Sequence, residues 1–225
     1  MLEKDSGRVR NRASGFSLLE MTVTIAIILI AGSIAYVSLI PLLNAQRVTN
    51  AYNTTLGAMR QARDNAVAQR TTYSVTFSNT TSPHSIVVAP VLPAGGSSFS
   101  GEQSSLTYQL PTDVFFLAQS GLPNTTATAP DHYYSSSLLP IDFGYTANGG
   151  TGGQSVIYFC PDGSSQNAQD GAGNCSGSWD GGVVYIARSG NILSSRAITL
   201  WGGTGRVYGW RLYSNGGSGY QWLRQ

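Results

Sequence analysis

The sequence predicts an α+β protein in which one long N-terminal helix, membrane-spanning in its first half, packs through its second half on an antiparallel β-sheet domain. Three observations carry this. A predominantly apolar run covers residues 21–43, long enough to cross a bilayer, which takes about 20 such residues. Ala45, Val48, Tyr52, Leu56, Met59, Ala62 and Ala66 then recur at spacings of three and four, the stripe of an amphipathic helix. From Tyr73 the period changes to two, with Tyr73, Val75 and Phe77 alternating with Ser74 and Thr76.

The helix is expected from about Phe16 to Arg70, with a kink near Pro41, because proline removes an amide donor and its ring crowds the preceding turn. Short strands follow at 85–89, 106–110, 114–118, 155–160, 183–187, 192–201 and 206–213. Ser189-Gly190-Asn191, the run Gly202 to Gly205 and Asn215-Gly216-Gly217 supply the turns between the last of them. Residues 119–139, rich in Ser, Thr and Pro, read as a long surface loop.

Composition points outside the cytoplasm. Charged residues are 11 % of 225, while glycine reaches 27, with many Ser, Thr and Asn. That profile suits a turn-rich, β-rich exported domain. The net charge of +2 lies wholly in the first fifteen residues, where Lys4, Arg8, Arg10 and Arg12 outnumber Glu3 and Asp5. A basic leader stays on the cytoplasmic side and directs the remainder outward. In that setting Cys160 and Cys175 are expected to oxidise to a disulfide, the alternative being two free thiols in a flexible loop.

Three readings compete at the N-terminus. A cleavable secretory signal needs its cut site after a short apolar core, and Ala31-Gly32-Ser33 is followed by more apolar sequence. A plain anchor explains the run but not Glu20, since a carboxylate in a spanning helix costs about 2.5–3.5 kcal/mol at mid-bilayer and less near an interface. The third reading supplies a partner. The hexapeptide Gly15-Phe16-Ser17-Leu18-Leu19-Glu20 resembles the prepilin recognition site of the type IV pilin superfamily. That resemblance implies cleavage after Gly15 by a prepilin peptidase, N-methylation of Phe16 and retention of the apolar helix. Glu20 would then pair with the N-terminal amine of a neighbouring subunit. Pro41 stands about one turn later than the helix-bending proline of many family members.

The implied organisation is a leader at 1–15, a transmembrane or filament-core helix at 16–43, an amphipathic continuation at 44–70 and a β-rich globular domain at 71–225. The segment 60–66 and the ending Arg196-Ala197-Ile198-Thr199-Leu200 with Thr204-Gly205-Arg206-Val207 are similar to GspH/FimT-type minor pilins and pseudopilins. The implied setting is the bacterial inner membrane, crossed once. The C-terminal domain would be periplasmic or on a filament of a type IV pilus or type II secretion system. The implied partners are other pilin or pseudopilin subunits, the peptidase and an inner-membrane assembly platform.

Chemistry is sparse. His84 and His132 are the only histidines, both in loop contexts, and no nucleophile elbow, Walker loop or zinc signature occurs, so no enzyme is expected. Asp162, Asp170, Asn174 and Asp180 could offer oxygen ligands to Ca²⁺. Their spacing departs from a twelve-residue calcium loop, and Asp-Gly pairs are ordinary turn formers. Arg206, Arg211 and Arg224 interleave with Trp201, Tyr208, Trp210, Tyr213, Tyr220 and Trp222. Such a segment could grip DNA, as in DNA-uptake pilins, or it could be strand aromatics packed as core and cross-strand pairs.

Overall fold

The computed structural model describes residues 15–92, 104–134, 137–145, 152–217 and 219–225. Helix α1 spans Leu18–Gln69 without interruption at Pro41. The backbone turns left-handed at Arg70, which ends the helix. The chain divides into two compact units, Met1–Leu43 and Asn44–Gln225.

In the first unit the described helical side chains are all exposed, including Leu18, Ile28, Leu29 and Val37. Length and composition suffice for a membrane crossing.

The second unit holds the rest of α1 and, among the described residues, eleven strands in two antiparallel sheets. The first sheet runs in the order β3 (Leu106–Gln109), β2 (Ser85–Pro90), β1 (Tyr73–Ser78), β6 (Val156–Phe159), β7 (Ser165–Gln166). The second runs β11 (Tyr220–Arg224), β10 (Arg206–Ser214), β9 (Arg196–Trp201), β8 (Gly181–Ala187), β4 (Phe115–Phe116), with β5 (Ile141–Tyr145) also paired to β8.

The period-two pattern of β1 places Tyr73, Val75 and Phe77 inward, and register sets Val75 opposite Val88 and Ile157. Phe77 stacks on Phe143 with ring centres 5.3 Å apart and meets Phe116 edge-on at 5.6 Å, joining the two sheets. Helix residues Val48, Ala51, Tyr52, Ala58, Met59, Ala62 and Ala66 complete this core. Small alanines let the backbone approach the sheets closely. Ala45 of the expected stripe is exposed, and buried Thr55 takes a place in it, returning its hydroxyl to the Ala51 carbonyl at 2.8 Å.

The second sheet is covered on both faces. Val184, Ile186, Ile198, Leu200 and Val207 join the helix-side core. Val183, Tyr185, Ala197, Leu212 and Trp222 form a separate cluster with Leu122, Tyr133 and Leu138. The 119–139 segment is therefore not a simple surface loop: Leu122, Ala129 and Pro130 are buried, and Gln119 binds the carbonyls of Arg188 and Asn191. The three expected hairpin turns are present. The expected strand at 192–201 begins instead at Arg196, because Ile192–Ser194 forms a 3₁₀ turn.

Candidate functional site

The N-terminal site lies in the first unit. Gly15, Phe16 and Ser17 precede α1, and the Met21 amide donates to the Ser17 carbonyl at 3.1 Å, closing its first turn. Phe16 is 78 % exposed, and nothing lies within 4 Å of where a side chain at Gly15 would begin. The peptide bond between them is thus sterically open. Glu20 stands in the first turn, where a carboxylate is favoured by the unpaired amides of a helix N-terminus. The hydroxyls of Thr22, Thr24, Ser33 and Ser38 each fold back on the carbonyl three residues earlier, at 2.8–2.9 Å. Those groups need no outside partner. Glu20 is the only charged side chain between Leu18 and Leu43, and among the described residues it has no hydrogen-bond or ion-pair partner.

In the second unit, Cys160 and Cys175 are bridged, closing the loop between them. Asp162 accepts from the amide and hydroxyl of Ser164 at 2.9 and 2.6 Å, which holds its carboxyl below the usual range. Asp170 accepts from the amides of Asn174 and Ala172 and is likewise held low. Asp180 is fully buried, and burial pushes its carboxyl up to about 6, although it accepts from the Gly144 amide at 2.7 Å. Of the four residues considered for calcium, only Asp170 and Asn174 bond to each other. No group of three or more His, Cys, Asp and Glu side chains suited to a metal ion occurs among the described residues.

The C-terminal arginines separate by strand register. Arg224 lies opposite Trp210, so it shares a face with Arg206 and Tyr208, and its guanidinium sits 3.4 Å from the Tyr208 ring centre. Hydrogen bonding from Arg206 and then Arg224 lowers the Tyr208 hydroxyl pKa. Arg211, five residues from Arg206 along β10, projects from the opposite face beside Tyr213. The three arginines do not form one surface. Further along, Arg63 of α1 donates to the carbonyls of Gly163 and Thr204, both at 3.2 Å, pinning the helix to two turns. Gly205 is left-handed there, and a Cβ on it would fall 2.2 Å from the Gly163 carbonyl oxygen, so only glycine completes this Gly-Arg turn.

Both histidines, expected in loop contexts, have structural partners. His84 Nδ1 accepts from the Phe116 amide at 2.9 Å, and burial lowers its pKa. His132 Nδ1 lies 2.6 Å from the Thr126 carbonyl oxygen.

An open Gly-Phe bond, a first-turn glutamate with no partner among the described residues and an exposed apolar helix give the N-terminus the layout of a type IV pilin-like prepilin motif. Residues 10–36 match the family model described as the prokaryotic N-terminal methylation motif. Neither the curated proteins nor the solved structures compared gave a match to the chain.

Proposed function

We propose that the chain is a minor pilin or pseudopilin, a structural and non-catalytic subunit built into a type IV pilus or a type II secretion pseudopilus. The observation that carries this is Glu20: one carboxylate, with no partner among the described residues, in a helix that carries no other charge as far as Leu43. Filament assembly would bring the Phe16 amine of an adjacent subunit to it. A buried ammonium and a buried carboxylate, each costly alone, then satisfy one another.

In this reading a prepilin peptidase removes residues 1–15 and Phe16 is methylated. Residues 16–43 anchor the subunit in the inner membrane and later enter the filament core. The remainder, a continuing helix at 44–70 and a β-rich domain at 71–225, folds outside the cytoplasm. An inner-membrane assembly platform extracts the subunit. The resemblance to GspH/FimT-type subunits favours a minor rather than a major component.

The test is the N-terminal sequence of protein purified from cells that contain a prepilin peptidase. It should begin at methylated Phe16. A start at Met1, or one near Ser33, overturns the proposal.

A further inference from the structure

The second unit carries a cleft of about 510 Å³, within the range of roughly 300–1,000 Å³ typical of small-molecule sites. Its walls are the rings of Tyr133, Tyr145, Trp179 and Trp201, with Asp131 and His132 at one side and the Gly202-Gly203 backbone at another. Tyr133 is the hub, with its ring centre 5.5 Å from that of Tyr145 and 6.1 Å from that of Trp201. Trp179 lies over Gly203, its indole about 3.4 Å from where a side chain there would begin. Both indoles remain in water, Trp179 at 55 % and Trp201 at 46 % exposure. Neither the helix-side core nor the cluster beneath 119–139 includes either one.

Two of the acceptors here are committed. Asp131 accepts from the Thr199 hydroxyl, which in turn accepts from the Trp210 indole N–H at 3.0 Å. His132 Nδ1 is taken by Thr126. The cleft therefore offers few free side-chain acceptors, while the indole N–H groups of Trp179 and Trp201 have no partner among the described residues.

Its charge is negative. Among the described residues no lysine or arginine lines it, Asp131 stands at its edge, and buried Asp180 lies against Gly202 with one carboxylate oxygen unpartnered. Burial raises the Tyr133 hydroxyl pKa above its ordinary value, and the charges of Asp131 and Asp180 raise it further, so both fields reach the hub ring. Asp131 and His132 are consecutive non-glycine residues in the left-handed region, a conformation that persists where the surroundings over-determine it and that concentrates at ligand clamps.

We propose that this cleft binds an alkylated ammonium group, of which a trimethylammonium head is the simplest case. Such a cation has no N–H to satisfy, so the scarcity of free acceptors costs it nothing. The negative faces of aromatic rings and the nearby carboxylates attract it. A primary ammonium would need acceptors for three protons.

The experiment is calorimetric titration of the full chain in a polyoxyethylene detergent, which carries neither an ammonium nor a sugar head. Choline should bind saturably. The neutral isostere 3,3-dimethylbutan-1-ol, of the same shape but without charge, should bind at least about tenfold more weakly. Phosphocholine separates the sources: binding as tight as choline points to a lipid head group, and weaker binding to a free cation. Trp179→Ala and Trp201→Ala, both at exposed positions, should each weaken choline by about tenfold while leaving the thermal unfolding midpoint in place. Equal binding of choline and its neutral isostere would reduce the cleft to an apolar pocket and overturn the proposal. Saturable binding of glucose or N-acetylglucosamine without choline, no binding of choline, or undiminished binding by both tryptophan variants would overturn it as well.

Discussion

At Gly209 the Tyr52 side chain of the helix lies directly against the second sheet. A Cβ built on it would fall 1.6 Å from the Tyr52 hydroxyl oxygen and 2.7 Å from the ring carbon that bears it. Ordinary contact needs about 3.5 Å or more, so Gly209→Ala must displace the phenol by roughly 2 Å. Tyr52 is 5 % exposed and lies in the main core, which leaves it little room to move. Overpacking of this kind costs roughly 1–3 kcal/mol, and the depth of overlap places this case at the upper end. The lower chain entropy of alanine in the unfolded state returns about 0.4–1 kcal/mol. The net expectation is a loss of about 2 kcal/mol. For a unit of roughly 150–250 residues that lowers the midpoint by about 4–8 °C. The assay is thermal unfolding followed by near-ultraviolet circular dichroism on the full chain in mild detergent. In a Tyr52→Phe background the cost should fall only in part, because the ring carbon still clashes. In a Tyr52→Ala background it should vanish. A Gly209→Ala protein as stable as wild type, or a cost unchanged by Tyr52→Ala, would refute this packing of α1 on β10.

Three other outcomes are expected. Glu20→Ala should insert, be cleaved and fold, yet co-purify poorly with sheared filaments, since stranding one member of a buried pair costs roughly 3–5 kcal/mol; Glu20→Gln should be milder, and full incorporation of Glu20→Ala would remove the pairing role. Replacing Cys160 and Cys175 with serine should lower stability to denaturant by about 3 kcal/mol, the loop-closure value for a loop of this length, and an unchanged midpoint would contradict a structural role for the bridge. Asp180 has a folded pKa raised from 3.8 to about 6, so the folded state holds its proton more tightly than the unfolded chain. The stability this contributes is complete below about pH 4 and is lost as pH rises through about 6. Asp180→Asn keeps an acceptor for Gly144 and should stabilise by up to about 3 kcal/mol at pH 7–8, with little effect at pH 4; a change of equal size at both pH values would exclude titration as the cause.

The N-terminal segment was legible because its signals are local: a charge step, a six-residue motif and an apolar run that no soluble core needs. Strands β1 and β2 were legible because one face is buried and the other is not, which writes alternation into the sequence. Strand β8 is buried on both faces, so its apolar run carries no alternation, and its start at Gly181-Gly182 did not read as strand. Strand β5 was hidden by Asp142 and Gly144, a buried carboxylate and a left-handed glycine inside a short run. Residues 119–139 looked like surface because Leu122 and Ala129 are isolated anchors with no period. The acidic loop residues left two readings open because a turn-capping aspartate and a metal-binding one have the same composition; Asp162 and Asp170 each accept from nearby amides as turn caps do. The aromatic cleft gave no sequence signal, since Tyr133, Tyr145, Trp179 and Trp201 are drawn from four separate segments.

The two sheets differ in how far apart along the chain their partners lie. Strands β8 to β11 pair each with the next across short turns. The middle of the first sheet joins Tyr73 to Phe159, with more than a third of the chain between them. Closing that gap requires a large loss of chain entropy before any contact compensates it, whereas the C-terminal meander closes almost at once. The expected order is that the meander forms early, with one edge of β1 unpaired until β6 arrives. Hydrogen-exchange pulse labelling during refolding would register that order as early protection in β9 and β10 and late protection in the β1 amides that face β6.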